Sequence, residues 1–243
     1  MDVRKTLRRS DTLVGLTRDF RKLSTRLRGA DHESEEVLFE RYLASHDVRK
    51  LQIGAGSNAL PGWLNTDAIP RCEGGVRLDV RNAFPFAAGT FDYVFSEHMF
   101  YQFPWREGAS ILRECRRILK PNGTLRIAVV DLEVLIGLYV NPDDPRSRRF
   151  VEWAADRFPA GVLRPMPAFV LNNHFRAWSA QFLYDGELME LAMREAGFTH
   201  VVRCAVGESD DENLRGVESH GRAMQAQEMV AFETMVFEGR CPS

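Results

Sequence analysis

Short apolar runs alternate along this chain with longer stretches whose hydrophobic positions fall three and four residues apart. Runs of four to eight residues at 49–53, 63–67, 76–79, 91–96, 124–130, 200–206 and 231–238 read as strands. Between them, residues 109–119 place Ile111, Leu112, Cys115, Ile118 and Leu119 on one side, and residues 187–196 do the same with Leu188, Leu191 and Ala192. That spacing is the mark of a helix with one buried face. A further helix is expected at 33–45, with Val37, Leu38, Tyr42 and Leu43 on one side. Lys120-Pro121-Asn122-Gly123 ends the 109–119 helix, because proline cannot continue it and asparagine or glycine takes a left-handed turn. Strands alternating with helices predict an α/β fold: a mostly parallel sheet with helices on both faces.

Two segments break the rhythm. Residues 132–180 hold Pro142, Pro145, Pro159, Pro165 and Pro167 together with Trp153 and Trp178, too much for a plain connection. They predict an α-rich lobe inserted over the ligand-bearing edge of the sheet. Near the start, Leu13, Leu16, Phe20, Leu23 and Leu27 alternate with Arg and Lys, as in a basic amphipathic helix. The chain therefore divides into an N-terminal helical segment, 1–45, and a domain, 46–243. Residues 1–30 carry nine Lys/Arg against three Asp, while the whole chain has a net charge of −2. No general case for nucleic acid follows from that balance. The basic helix is left with two readings: it rests on its own domain or on the second copy of a homodimer, or it meets an anionic membrane surface or covers a substrate site. No apolar run is long enough to span a bilayer. Cys72, Cys115, Cys204 and Cys241 stand singly, as reduced thiols do in a cytoplasmic protein, with neither disulfide nor zinc spacing.

The densest chemistry lies at Leu51-Gln52-Ile53-Gly54-Ala55-Gly56, followed by Gly62-Trp63-Leu64-Asn65-Thr66-Asp67. An apolar strand enters a glycine turn whose backbone can come close to a ligand. A second strand then ends in a carboxylate, placed either as a turn residue or to accept a pair of ribose hydroxyls. The glycines also fit a dinucleotide fingerprint, but Pro61-Gly62 interrupts the helix that should meet the pyrophosphate, and Asp67 comes too early.

Further signals follow in order: Leu78-Asp79-Val80, Pro85-Phe86 leading to Phe91-Asp92-Tyr93-Val94, Leu119-Lys120-Pro121-Asn122-Gly123, and Glu195-Ala196-Gly197-Phe198. In this series, over about residues 48–240, the chain resembles the class I S-adenosylmethionine-dependent methyltransferases. Its short link from Gly56 through Pro61-Gly62-Trp63 to Asp67 is similar to a group of predicted methyltransferases, some tied to glycan biosynthesis. The resemblance implies a Rossmann-like, seven-stranded sheet with a reversed last strand, and S-adenosyl-L-methionine as cofactor. It implies a binding set of Gln52, Ile53, Gly54, Ala55, Gly56, Asp67, Ala68, Asp79, Val80, Ser96 and Glu97. Within that set the glycine-turn backbone passes the methionine part, Asp67 holds the ribose hydroxyls, and Asp79 accepts from the adenine amino group with Val80 beside the ring. Gln52 departs from the pattern, since many members carry an acid there; the cofactor ammonium is then expected to use backbone carbonyls or Glu97.

The reaction so implied is methyl transfer to an oxygen, or less readily a nitrogen, of a small molecule or saccharide. An oxygen acceptor calls for a base, and histidine titrates in the useful range. His98, just after the fourth strand, is the first candidate, His174 in the lobe the second, and His220 the third; each alone is as readily structural. Asp131 is placed to orient a base, hold a metal or cap the next helix. No cluster has metal spacing, so no metal is expected. Phe100, Tyr101, Phe103, Trp105, Trp153 and Trp178 make either an aromatic substrate wall or the core of the lobe. Two other readings stay open: a nicotinamide-dinucleotide oxidoreductase, and a methyltransferase-like protein that serves only as a binding or assembly partner.

Overall fold

The computed structural model describes residues 33–158 and 164–243, so the basic helix expected within residues 1–30 lies outside the described residues. The chain divides into two compact units, Met1–Glu40 and Arg41–Ser243. Helix α1 (Glu35–Ser45) begins behind Ser34, whose hydroxyl accepts the Val37 N–H at 3.4 Å, and carries Glu35 and Glu36 in its first turn.

The second unit is built on one sheet. Strands β1 (Lys50–Ile53), β2 (Leu64–Asp67), β3 (Val76–Arg77), β4 (Phe91–Glu97), β5 (Leu119–Val130), β6 (Thr199–Cys204) and β7 (Thr234–Arg240) lie in the order β3-β2-β1-β4-β5-β7-β6. Strand β7 runs antiparallel to both neighbours, as the reversed last strand requires, and the remaining pairs are parallel. This is the Rossmann-like seven-stranded arrangement with helices on both faces. Leu51 lies opposite Leu64 and Val94, and Ile53 opposite Thr66 and Ser96, so the carboxyl ends of β1, β2 and β4 finish side by side. That edge, where strand order turns from β1 outward in both directions, is where open α/β sheets bind ligands.

Helices α2 (Trp105–Ile118) and α6 (Gly186–Glu195) pack together, burying Ile111, Leu112 and Ile118 of the first and Met189 and Met193 of the second. Helix α2 starts four residues earlier than the apolar spacing suggests, because Pro104 supplies the entry and its carbonyl accepts the Gly108 N–H. It then feeds straight into β5. Residues 120–123 belong to that strand as a kink, with Asn122 at φ 62 and the backbone paired to Cys241, so the expected stop is not a separate turn. Strand β7 begins three residues later than expected, because helix α8 (Gln227–Glu233), preceded by the short α7 (His220–Ala223), takes the residues before it.

The inserted lobe is helical, with α3 (Leu132–Val140), α4 (Pro145–Arg157) and α5 (Pro167–Arg176). Its prolines start helices: Pro145 and Pro167 sit in the first turn, where a missing N–H costs nothing. Asp144 caps α4 by accepting the Ser147 N–H. Phe150, Leu135, Leu138 and Val170 form the lobe's interior.

Between β1 and β2 the chain makes no helix. Residues 54–63 form a short link whose Leu60 and Trp63 pack with Phe95, Ala128 and Val236 of the sheet. Leu214 and Val217, from the polar stretch before α7, complete that cluster. Among the described residues no helix is long and apolar enough to cross a membrane, and the four cysteines are free.

Candidate active site

Strand β1 runs into Gly54, at φ +74, and a Cβ there would lie 2.9 Å from Met99 Cγ. Only glycine accepts both the left-handed backbone and the close approach. Two residues on, the Gly56 N–H donates to Asp67 Oδ2 at 2.9 Å, and the Ile69 N–H donates to Oδ1 at 2.8 Å. The end of β2 is thus tied to the glycine turn. Each carboxylate oxygen of Asp67 takes one backbone donor and keeps acceptor capacity for another.

In front of this turn lies a cleft of about 390 Å³, walled by Gly54, Asp67, Ala68, Asp79, Val80 and Met99 among others. Asp79 is paired side-on with Arg81, at 2.6 Å and 2.9 Å, and that hydrogen-bonded guanidinium holds its carboxyl below the usual range. Ile53 and Ala55 are buried and contribute backbone to the turn. Gln52 is 1% exposed; its amide donates to Asn58 O at 3.1 Å, while Oε1 has no hydrogen-bond partner among the described residues. The Ser96 hydroxyl is likewise buried and without a partner among the described residues, and Ser96 is not part of the wall of this cleft.

A second, smaller cavity of about 110 Å³ lies behind residues 98–103, walled by His98, Tyr101, His174, Trp178, His220 and Glu233 among others. These residues and the strap 178–183 form a wall common to both spaces. Met99, Gln102 and Phe103 face the cleft, and His98 and Tyr101 face the cavity. From the strap, Ser179 and Gln181 face the cleft, and Trp178 and Leu183 the cavity. The strap is pinned by Gln181 and Phe182 N–H groups donating to Tyr101 O at 2.8 and 3.1 Å, and by the Gln181 amide donating to Gln102 O at 2.7 Å.

The three histidines differ in charge. His98, at φ 50 beyond β4, is pushed down to about 3 by burial, then by the nearby His220 and His174, so it is neutral near pH 7. Its ring centroid is 4.7 Å from that of His220. His174 behaves oppositely. Burial alone would lower it, but the Glu233 carboxylate 2.7 Å from Nε2 raises it, and Nδ1 lies 2.9 Å from the Val170 carbonyl. Both ring nitrogens face acceptors, so both carry protons and the pair is an imidazolium with a carboxylate.

Three expected roles change. Asp131, a catalytic candidate, accepts the Glu133 N–H as cap of α3, pairs with Arg203 and lines neither space. Glu97 does not reach the cleft. Its carboxylate accepts from Ser219 N–H and hydroxyl and from His220 N–H, which fixes the start of α7 and with it His220. His174 has no free nitrogen to act as a base. Glu233 escaped the sequence reading because it was placed inside a strand; its one signal was an acid within an otherwise apolar run, Ala231-Phe232-Glu233-Thr234-Met235-Val236-Phe237.

Residues 51–127, which span β1 to β5 and the glycine turn, match the family model described as a methyltransferase domain. Among solved structures the chain is similar to a SAM-dependent methyltransferase from Archaeoglobus fulgidus, at 13% identity over 91% of this chain and 99% of that one, with a TM-score of 0.47. It is also similar to Haemonchus contortus phosphoethanolamine N-methyltransferase 2 in complex with S-adenosyl-L-methionine, at 14% identity over 86% of this chain and 52% of that one, with a TM-score of 0.46. No curated protein matches it. Among the described residues no cluster of His, Cys, Asp and Glu could hold a metal ion.

Proposed function

We propose that the protein transfers a methyl group from S-adenosylmethionine to an oxygen of a small molecule, with His98 as the base. The observation that carries this reading is the shared wall: a nucleoside-sized cleft at the carboxyl ends of β1 and β2 backs directly onto a cavity holding a neutral histidine. The residues present fit the cofactor. Asp67 lines the cleft and keeps acceptor capacity beside a turn whose Gly54 leaves the approach open. Gly54 and Gly56 would border its methionine part, Asp67 its ribose, and Asp79 and Val80 its adenine.

When bound, S-adenosylmethionine supplies a strongly electrophilic methyl group. The chain's share is then positioning and proton handling. Because burial holds His98 at about 3, it does not take the proton of a free hydroxyl; it takes the proton from the oxygen as the methyl bond forms and that proton turns strongly acidic, with His220 beside it. The His174–Glu233 pair holds one side of the acceptor cavity, and residues 98–103 and 178–183, which lie between cleft and cavity, are the segments that must part for the methyl group to reach the acceptor oxygen. The saccharide acceptor rests on the family resemblance alone. The dinucleotide reading needs a helix N-terminus at the glycine turn, and residues 54–63 form none.

Calorimetric titration with S-adenosylhomocysteine, S-adenosylmethionine and NAD, on the protein and on Asp67→Asn, tests the reading. Micromolar binding of the adenosyl ligands, weakened at least tenfold in the variant and absent for NAD, supports it. Binding of NAD alone overturns it, and silence toward all three favours a protein without chemistry.

A further inference from the structure

The cavity beside His98 restricts what can be methylated there. We propose that the acceptor is a neutral, flat hydroxy compound about one aromatic ring across, lying against Trp178 and Phe158 with its hydroxyl at His98. This rests on the methyl-transfer reading of the same site and narrows it.

Size is the first argument. The cavity is about 110 Å³, on the scale of an engineered apolar cavity of about 150 Å³ that takes benzene. The cavity is the smaller of the two, so at most one ring enters, with any substituent left at the open rim beside Trp178, and a disaccharide does not fit.

The second argument is the lining. Phe158 and Trp178 meet edge to face with centroids 5.1 Å apart, and Val130, Leu183 and Met224 supply further apolar surface. Such rings offer a flat acceptor edge-on or stacked contact. Trp178 is 42% exposed at the cavity's rim, and both it and Ser179 hold left-handed backbone, at φ 51 and φ 63. Strain of that kind in a non-glycine pair persists where the surroundings impose it, here the hydrogen bonds that pin the strap to Tyr101 and Gln102.

Polar capacity is the third. His174 spends both nitrogens on Val170 and Glu233, and Glu233 spends a carboxylate oxygen in return. What remains to meet an acceptor is His98, His220 and the Tyr101 hydroxyl. A pyranose would bring several hydroxyls into an apolar space, and each left without a partner costs about 1–3 kcal/mol. A phenol-like compound brings one, and His98 meets it. Charge gives the fourth argument. The His174–Glu233 pair cancels itself and His98 is neutral, so neither an anionic nor a cationic acceptor finds an uncompensated countercharge.

The step balances. The hydroxyl oxygen forms a bond to the methyl carbon, and the carbon–sulfur bond breaks with its electron pair left on sulfur. The hydroxyl proton passes to the free nitrogen of His98 and from there to water. The products are a methyl ether and S-adenosylhomocysteine.

The test titrates the full chain with 4-methylphenol and, separately, with methyl glucoside, each with and without saturating S-adenosylhomocysteine, by calorimetry and tryptophan fluorescence. Expected is saturable binding of 4-methylphenol alone, weakened at least tenfold in Trp178→Leu and abolished in Met224→Trp, which fills the cavity from its rim. S-adenosylhomocysteine should bind both variants as it binds the parent. Binding of methyl glucoside in place of 4-methylphenol overturns the proposal, as does 4-methylphenol binding that ignores both variants, or no binding of either. Should S-adenosylhomocysteine fail to bind while 4-methylphenol binds and responds to both variants, the cofactor reading falls and the ligand class stands. Should S-adenosylhomocysteine bind and 4-methylphenol not, the acceptor class falls alone.

Discussion

Arg126 Nε donates to Glu218 Oε1 at 2.6 Å, joining the middle of β5 to a residue 92 positions later, with the guanidinium wholly buried. The same guanidinium donates through Nη1 to Glu208 O and to Glu238 on β7, while Glu218 Oε2 accepts the Gly207 N–H. A buried cation is tolerable only with partners of this quality. Removing the cation leaves two largely buried carboxylates without compensation, so Arg126→Met should cost about 3–5 kcal/mol in urea denaturation. Replacing Arg126, Glu218 and Glu238 together by apolar residues of similar volume should cost far less than that single change.

Glu233→Gln tests the buried pair that joins helix α5 of the lobe to helix α8. Its raised value makes His174 a source of stability that is fully present below the unfolded histidine value, about 6.5, and lost as pH rises through the folded one. The stability difference between the parent and Glu233→Gln should therefore be largest near pH 6 and shrink above it. A gap that widens with rising pH would contradict the imidazolium assignment.

His98 works in the opposite direction. Its folded value, about 3, lies below the unfolded one, so between pH 6.5 and 3 the unfolded chain binds the proton and the folded chain does not. The parent should lose stability relative to His98→Asn across that window, by up to about 1.4 kcal/mol per pH unit. Denaturation at pH 7, 5.5 and 4 reads the slope directly.

Gly54→Ala should destabilise the fold by about 1–2 kcal/mol through its left-handed backbone. Met99 can swing aside, so the larger effect should be on ligand: at least a tenfold loss of S-adenosylhomocysteine affinity by calorimetry, because the added methyl occupies the approach to the turn. The substitution Gly62→Ala, at a left-handed glycine with open space around it, is the control for strain without obstruction.

The strands, their order of appearance and the glycine turn were legible because apolar runs of period-two length are a local signal that the sheet merely ratifies. Asp67 was legible for the same reason: it ends a strand, and its chemistry acts where the strand stops. The histidine cavity was only half legible. His98 follows a strand and announces itself, but its neighbour His220 lies 123 positions after Glu97 and is brought beside His98 by Ser219 and His220 N–H groups donating to the Glu97 carboxylate. Glu233 was hidden by helix α8, which interrupts a run of strand-like composition, Ala231-Phe232-Glu233. Asp131 and Glu97 stand at strand ends as catalytic groups do, yet caps form at those ends too, and spacing alone does not separate a carboxylate that meets substrate from one that meets backbone N–H groups.

Leu214 and Val217 share one buried cluster with Leu60 and Trp63 of the link between β1 and β2. The stretch that carries them looks like a free surface loop in sequence, and in many enzymes such a loop is where new specificities are tried. Here it is part of the foundation: a change there disturbs the floor beneath the glycine turn as well as the neighbourhood of His220.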